Sequence, residues 1–296
     1  MEKDKKVILL TGATGYLGSS ILKKLIYKGY SIIVLKRSFS NTFRIDEYID
    51  KIKTYNTDET KLRKIFEENK IDIILHCATD YGRKGRDPIH TLEANLLLPL
   101  SLLELGRENG VTYFINTDTI LDKRINNYSL SKRQFKDWLT SYKNDLVCIN
   151  IALEHFYGPG DDSTKFVSNI LRKLVEGVDN IDLTKGEQKR DFVFVDDVVN
   201  AFMTILENLD SFSSDFYYFE IGSNKAVTIR KLVEMMKELL PLNKTVLNFG
   251  ALPYRKHEVM ECIADTSAIK KFGWECGTSL EDGIKKTLDF ELKSII

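Results

Sequence analysis

The chain carries no excess charge of either sign: 43 Lys and Arg residues balance 43 Asp and Glu residues, for a formal net charge of zero. That balance leaves no electrostatic footprint for a nucleic acid or an anionic membrane surface. Long apolar runs are missing too. Leu96 to Leu105 is short and interrupted by Pro99, so nothing approaches the roughly 20 apolar residues of a membrane span. Cysteine is sparse. Cys77, Cys148, Cys262 and Cys276 stand far apart with no C-x-x-C pair, which argues against a metal site or disulfide framework and for reduced thiols in a cytoplasmic protein. The first residues, MEKDKKVILLTG, pass from a few charges straight into an apolar run, and no signal peptide is expected. No low-complexity tract, flexible linker or internal repeat breaks the sequence.

What is present describes a globular chain of 296 residues, 43% apolar and 29% charged. Such a chain suits one large domain or two intimately joined ones. Strand patterns at 7–11, 31–36, 50–56, 71–77, 112–117 and 146–153 alternate with helical patterns through about residue 157. This rhythm predicts an α/β fold with a doubly wound parallel sheet of Rossmann type. Beyond it the rhythm changes: a helix over 164–177, irregular chain with strands over 181–195, a helix over 196–209, a strand at Phe216 to Ile221, and helices near 228–240 and 279–293. The expected division is a dinucleotide-binding domain, 1–157, and a smaller mixed C-terminal lobe for substrate, 158–296.

Two motifs carry chemistry. The first follows the apolar run Val7-Ile8-Leu9-Leu10, where Thr11-Gly12-Ala13-Thr14-Gly15-Tyr16-Leu17-Gly18 leads into a helical pattern with Ile21, Leu22, Leu25 and Ile26 on one side. In a strand–turn–helix, Gly12 permits the tight turn, Gly15 lets the backbone approach a pyrophosphate, and Gly18 lets the helix pack on the strand. The helix N-terminus then offers free N–H groups and partial positive charge to phosphates. No Gly-Lys-Ser/Thr ending is present, which excludes a P-loop. The second motif is Tyr128-Ser129-Leu130-Ser131-Lys132. On a helix, Tyr128 and Lys132 leave the same face one turn apart. A free phenol titrates near about 10, and a neighbouring ammonium favours the phenolate and lowers that value. A Tyr–Lys pair can therefore exchange a proton with a carbonyl or alcohol oxygen.

Together these motifs resemble the extended short-chain dehydrogenase/reductase family, in its nucleotide-sugar epimerase/dehydratase group, whose signatures are TGxxGxxG and YxxxK with a Ser or Thr upstream. The resemblance runs along nearly the whole chain. Ile71 to Ala78 is similar to the family's fourth strand, and Asn95 to an asparagine in the helix after it. Tyr113-Phe114-Ile115-Asn116-Thr117 resembles the fifth strand, which implies Thr117 as the catalytic Ser/Thr. Tyr157-Gly158-Pro159-Gly160, the segment Arg190-Asp191-Phe192-Val193-Phe194-Val195-Asp196, and the closing Gly273-Trp274 with Ser279 to Gly283 match further family patterns. The resemblance implies a catalytic set of Thr117, Tyr128 and Lys132. It implies cofactor contacts from Gly12, Thr14, Gly15, Tyr16, Leu17 and Gly18, from Ala78 and Asn95, and from Tyr128 and Lys132 themselves. Arg190 and Arg255 match two diphosphate-contacting arginines, suited to bidentate recognition. Arg83 and His155 are further candidates for the sugar side, although a packed or capped histidine is an equal reading of His155. A homodimer through the helices carrying Asn95 and Tyr128 is implied as well.

The end of the second predicted strand bears on cofactor choice. A carboxylate there suits the ribose hydroxyls of NAD, and a cation suits a 2′-phosphate. The sequence Leu35-Lys36-Arg37-Ser38 has no acid; Arg37 offers a planar fork, with Lys36 and Ser38 beside it, so NADP(H) is favoured over NAD(H).

One departure is informative. Where sugar-nucleotide dehydratases read Thr-Asp-Glu, this chain reads Thr117-Asp118-Thr119, which removes a carboxyl that dehydration needs. Asp118 is a secondary acid, a substrate contact or a loop cap. This run, with Ala78-Thr79-Asp80-Tyr81-Gly82-Arg83, resembles the CDP-abequose synthase branch, whose members reduce the 4-keto group of nucleotide-linked deoxy sugars. The expected substrate is thus a nucleotide-diphosphate sugar with a 4-keto-6-deoxy or 3,6-dideoxy hexose, in deoxysugar synthesis for O-antigen or related surface polysaccharide. Two alternatives stay open: an NAD-dependent nucleotide-sugar 4-epimerase, and a non-catalytic dinucleotide-binding sensor or scaffold.

Overall fold

A computed structural model describes residues 6–83, 85, 87–256 and 258–295. From the N-terminus the elements run β1 (Val7–Thr11), α1 (Tyr16–Tyr27), β2 (Ser31–Lys36), β3 (Lys53–Asn56), α2 (Leu62–Glu68), β4 (Ile73–His76), α3 (Pro88–Leu92) and α4 (Leu98–Glu108). Next come β5 (Tyr113–Thr119), α5 (Asn127–Ser141), β6 (Val147–Leu153), β7 (His155–Tyr157), α6 (Phe166–Glu176), β8 (Asn180–Leu183), β9 (Lys189–Phe194) and α7 (Val195–Glu207). The chain finishes with β10 (Phe216–Ile221), β11 (Ala226–Thr228), α8 (Ile229–Glu238), β12 (Val246–Phe249), α9 (Ser267–Lys270) and α10 (Leu280–Ile295).

Seven strands form the main sheet in the order β10-β6-β5-β4-β1-β2-β3. The pairings β1 with β2, β1 with β4, β2 with β3 and β4 with β5 are parallel. Strands of such a sheet are covered on both faces and read as unbroken apolar runs. Ile8, Leu9 and Leu10 are accordingly 0% exposed. The chain order reverses between β1 and β4, a place where ligands bind at the carboxyl ends of the strands.

Helix α5 owes its placement to one stripe. Tyr128, Lys132, Phe135 and Leu139 follow the i, i+4, i+7, i+11 spacing of a single helix face. The apolar half of that stripe is buried against the sheet, where the Phe135 and Phe114 rings lie 5.7 Å apart. That contact fixes the helix rotation and so sets where Tyr128 and Lys132 point. Asn126 caps the helix, accepting from the Ser129 N–H at 2.8 Å.

Three features differ from the sequence-based expectation. Strand 50–56 shortens to β3, because residues 46–51 wind into a 3₁₀ turn before it. The helix carrying Asn95 is broken by a π turn over Glu93–Leu97. Pro99 has no N–H to offer the carbonyl four residues back, and a wider turn absorbs the loss. The strand Phe216–Ile221 is an edge of the main sheet beside β6, where the Cys148 N–H donates to the Asp215 carbonyl at 2.9 Å.

The chain accordingly forms two compact units, Met1–Ala152 with Phe202–Phe219, and Leu153–Ala201 with Glu220–Ile296. A single cut at 157 follows chain order, whereas the contacts return residues 202–219 to the first unit. The second unit holds the three-stranded sheet β11-β9-β7 and the parallel pair β12-β8. Its motif residues are structural anchors. Asp191, 0% exposed, accepts from the Ser223, Asn224 and Ala264 N–H groups. Asp197 accepts from the N–H groups of Gly277 and Thr278 at 3.1 and 3.0 Å, rather than capping its own helix, and its carbonyl accepts from Trp274 Nε1. Gly283 is required by close approach, since a Cβ there would stand 2.2 Å from the Tyr157 hydroxyl.

Candidate functional site

The glycine turn is a built cradle. Gly12 has φ +73°, and a Cβ on it would meet the Ala78 backbone nitrogen at 2.5 Å. A Cβ on Gly18 would meet the Gly12 carbonyl oxygen at 2.1 Å. Gly15 is exposed and has no such neighbour on its open side; the nearest atom to an added Cβ is Gly12 O at 3.3 Å. Thr11 Oγ1 fastens the strand ends, accepting from the Cys77 and Ala78 N–H groups at 3.2 and 3.1 Å. No side chain caps α1, so the N–H groups of Leu17 and Gly18 in its first turn have no partner within the helix. Open backbone at Gly15, uncapped N–H groups and the positive helix end together fit a dinucleotide diphosphate; Thr14 and Tyr16 flank it half-buried.

At the end of β2, the three residues read as a phosphate site are already engaged. Lys36 Nζ donates to Asn56 Oδ1 at 2.7 Å. The Ser38 N–H and hydroxyl both donate to the Asp58 carboxylate, at 2.8 and 2.5 Å. Arg37 stacks on the Phe39 ring, 4.7 Å from its centroid. A carboxylate therefore stands at this strand end after all, brought from 20 residues further along the chain. The Ser38 hydrogen bonds hold Asp58 below the usual carboxylate range.

Thr117, Tyr128 and Lys132 belong to the first unit. Thr117 Oγ1 lies 3.2 Å from Cys77 Sγ. Lys132 is 2% exposed, and its ammonium donates to the Thr117 carbonyl at 2.8 Å. Burial lowers its pKa, while Asp118 and Cys77 act in the other direction. The Tyr128 phenol departs from expectation: burial first, then Tyr81 and Asp118, push it well above 10, opposed by a hydrogen bond with Thr119 and by Arg83. Lys132 is turned to a main-chain carbonyl, so the expected lowering by that ammonium is not what this geometry gives.

Period-two alternation along β5 places Thr117 and Thr119 on one face and Asn116 and Asp118 on the other. Asp118 accordingly faces inward, 6% exposed, accepting from Asn150 Nδ2 and the Thr119 N–H, both at 2.8 Å. Burial raises its pKa. It is a buried carboxyl that acts electrostatically on Lys132.

Asn95, 0% exposed, is a clamp. Its Oδ1 accepts from the Asp80 N–H at 2.8 Å, and its Nδ2 donates to the Asp80 carbonyl and to Ser131 Oγ at 2.8 and 3.0 Å. It thereby ties the loop after β4 to helix α5. That loop brings Tyr81 against Tyr128, with ring centroids 5.0 Å apart, and Arg83 over the Tyr81 ring. Sequence reasoning missed Tyr81 and Thr119. The third position of Thr117-Asp118-Thr119 was the available signal for Thr119.

The other expected residues lie in the second unit. His155 Nδ1 sits 2.7 Å from the Glu154 carboxylate, whose side chain is 2% exposed. Arg190 pairs with Glu258 and also donates to the Lys189 carbonyl at 2.7 Å. Arg255 is exposed, its carbonyl accepting from the Glu258 N–H at 3.1 Å. Glu154 and Glu258 were not legible in the sequence. Among the described residues, no group of three or more His, Cys, Asp or Glu is placed to hold a metal ion, and no helix is long and apolar enough to cross a membrane.

Residues 8–218 match the NAD dependent epimerase/dehydratase family. The chain belongs to that family. It is similar to CDP-abequose synthase of Salmonella muenchen, 36% identical with 97% of this chain and 98% of that protein covered. Its identity to CDP-abequose synthase of Salmonella typhimurium is 32%, covering 96% and 98%. Among solved structures, UDP-glucose 4-epimerase of Thermotoga maritima, with UDP-glucose, superposes with a TM-score of 0.84 at 26% identity, covering 98% of this chain and 100% of that one. The expected Rossmann-type fold and family membership are thus established, and with them an enzyme of the nucleotide-sugar epimerase, dehydratase and reductase group that depends on a nicotinamide dinucleotide.

Proposed function

We propose that this enzyme uses NADPH to reduce the 4-keto group of a nucleotide-linked 4-keto-6-deoxy or 3,6-dideoxy hexose. The reading rests chiefly on one observation: Thr117, Tyr128 and Lys132 share one unit with the glycine cradle, while Thr119 stands where a dehydratase has Glu. The identity to CDP-abequose synthases supports the substrate class. Nicotinamide supplies the hydride. Tyr128 gives its proton to the carbonyl oxygen, the Thr117 hydroxyl holds that oxygen, and Lys132 holds the Thr117 carbonyl and a positive charge beneath the site. Arg190 and Arg255 bind the diphosphate, which requires Arg190 to exchange Glu258 for phosphate, and His155, held by Glu154, meets the sugar.

Arg37 and Lys36, the two cations at the end of β2, support NADPH, which requires them to leave Phe39 and Asn56 for a 2′-phosphate. The Asp58 carboxylate beside Ser38 favours a second reading, an NAD-dependent 4-epimerase. The epimerase reading gains from the likeness to UDP-glucose 4-epimerase. The product would serve surface polysaccharide synthesis in the cytoplasm. The assembly would be a homodimer through α4 and α5, which expose Leu130 and Trp138 by 42% and 48% together with neighbouring Leu97 by 53%. The test is Tyr128→Phe: turnover falls by about 10²–10⁴ while dinucleotide affinity holds. Near-normal turnover removes Tyr128 as the acid.

A further inference from the structure

The stretch from Asp80 to Arg83, in the loop after β4, is more firmly built than its exposure suggests. Asn95 fixes the backbone at Asp80, and the Asp80 carboxylate accepts from the Gly82 N–H at 2.7 Å. Gly82 takes φ +61°, where a Cβ would press on Thr91 Oγ1 at 3.1 Å. This turn leaves Tyr81 at its apex, 38% exposed, with its ring 5.0 Å from the Tyr128 ring and tilted by 46°. The Arg83 guanidinium carbon lies 5.0 Å from the Tyr81 ring centroid. Cation, aromatic ring and phenol ring thus follow one another in a chain of contacts.

The charged groups around the Tyr128 phenol come from three elements. Asp118 lies on β5, with the Thr119 hydroxyl; Tyr81 and Arg83 lie on the loop; Lys132 lies on the phenol's own helix, its ammonium committed to the Thr117 carbonyl. Arg83 opposes the effects of burial, Tyr81 and Asp118 at the phenol.

We propose that Tyr81 and Arg83 form a cation–aromatic shelf that orients Tyr128 and supplies the positive charge its phenolate needs after proton transfer. In that step the Tyr128 O–H bond breaks, an O–H bond forms on the substrate oxygen, and the negative charge passes to the phenolate beside the shelf. A guanidinium stacked on an aromatic face is more weakly hydrated than an ammonium and keeps its charge at every working pH. Arg83 is a positioning residue here, distinct from the diphosphate-binding arginines. The proposal rests on Tyr128 being the acid.

The test uses Arg83→Gln, Arg83→Lys and Tyr81→Leu, all at exposed positions. The Tyr128 phenol is titrated in enzyme carrying ¹³C-labelled tyrosine, without substrate, with Tyr128→Phe assigning its signal. Arg83→Gln is expected to lower the phenolate fraction at a given alkaline pH on the order of 3- to 10-fold. It should also depress kcat while leaving KM nearly unchanged, with Arg83→Lys recovering part of both effects. Tyr81→Leu removes the ring on which the guanidinium sits and should depress kcat as Arg83→Gln does. An unmoved titration with a raised KM overturns the shelf and makes Arg83 a substrate ligand. Undiminished turnover by Tyr128→Phe is a separate result, which overturns the acid assignment beneath it.

Discussion

Gly18→Ala tests the cradle with a sign that ordinary helix energetics would reverse. Gly18 lies in the first turn of α1, where replacing Gly by Ala normally stabilises by about 1 kcal/mol. Here the new Cβ would stand 2.1 Å from the Gly12 carbonyl oxygen and 2.6 Å from its carbon, both backbone atoms that cannot swing aside. Such overpacking costs about 1–3 kcal/mol, which at roughly 2–4 °C per kcal/mol lowers Tm by about 2–12 °C. The relief available is to push α1 away from the turn, which displaces the N–H groups that meet phosphate. Losing one hydrogen bond to a charged group costs about 1.5–3 kcal/mol, or roughly 10- to 150-fold in dinucleotide Kd. Calorimetric titration with NADPH and NADH, beside a thermal melt, reads both effects. Gly15→Ala is the control for the melt alone, because its Cβ meets only Gly12 O at 3.3 Å within the protein; affinity is compared with the unsubstituted enzyme. A Gly18→Ala protein with raised Tm and unchanged affinity would refute the reasoning.

The remaining predictions rest on separate features. Burial pushes Cys77, Cys148, Cys262 and Cys276 each up to about 12, so at pH 8 the thiolate fraction is about 10⁻⁴ and disulfide-exchange reagents should label the native protein slowly. Rapid native labelling of any of the four would contradict that burial. Tyr128, raised above its unfolded value near 10, holds its proton where the unfolded chain has released it. Its contribution to stability is therefore full below pH 10 and is lost as pH rises above it. Alkaline denaturation should accordingly begin at higher pH in Tyr128→Phe, and an identical alkaline limb would count against the shift. Asp58→Asn should improve NADPH binding relative to NADH and Arg37→Ser should worsen it, so a 2′-phosphate preference indifferent to both places the discrimination elsewhere. Trp138→Glu, on the exposed face of α5, should give a monomer by sedimentation, and an unchanged dimer would locate the interface on another face.

The legible parts of this molecule were those in which neighbours in sequence are neighbours in space. The glycine turn could be read because Gly12, Gly15 and Gly18 act on one strand end and one helix start. The stripe Tyr128, Lys132, Phe135, Leu139 could be read because helix geometry alone aligns it. What escaped was the choice of partner over longer separations. Lys132 spends its ammonium on the Thr117 carbonyl, 15 residues back. Ser38 is claimed by Asp58 from the far side of β3, and Arg190 by Glu258, 68 positions away. Asn95 was noticed as a family residue, but its clamp depends on a π turn forced by Pro99, and no periodicity reports such a turn. The seat of Phe216–Ile221 at the sheet edge likewise follows from pairing with β6, which chain order conceals.

The most direct measurement incubates the enzyme with NADPH and CDP-, dTDP-, UDP- or GDP-linked 4-keto-6-deoxy and 3,6-dideoxy hexoses, following absorbance at 340 nm and determining the product by NMR. The account predicts stoichiometric NADPH oxidation with one of them and a product bearing a C4 hydroxyl. Interconversion of 4-hydroxy nucleotide sugars by enzyme holding a non-dialysable NAD, with no net consumption of NADPH, would contradict it.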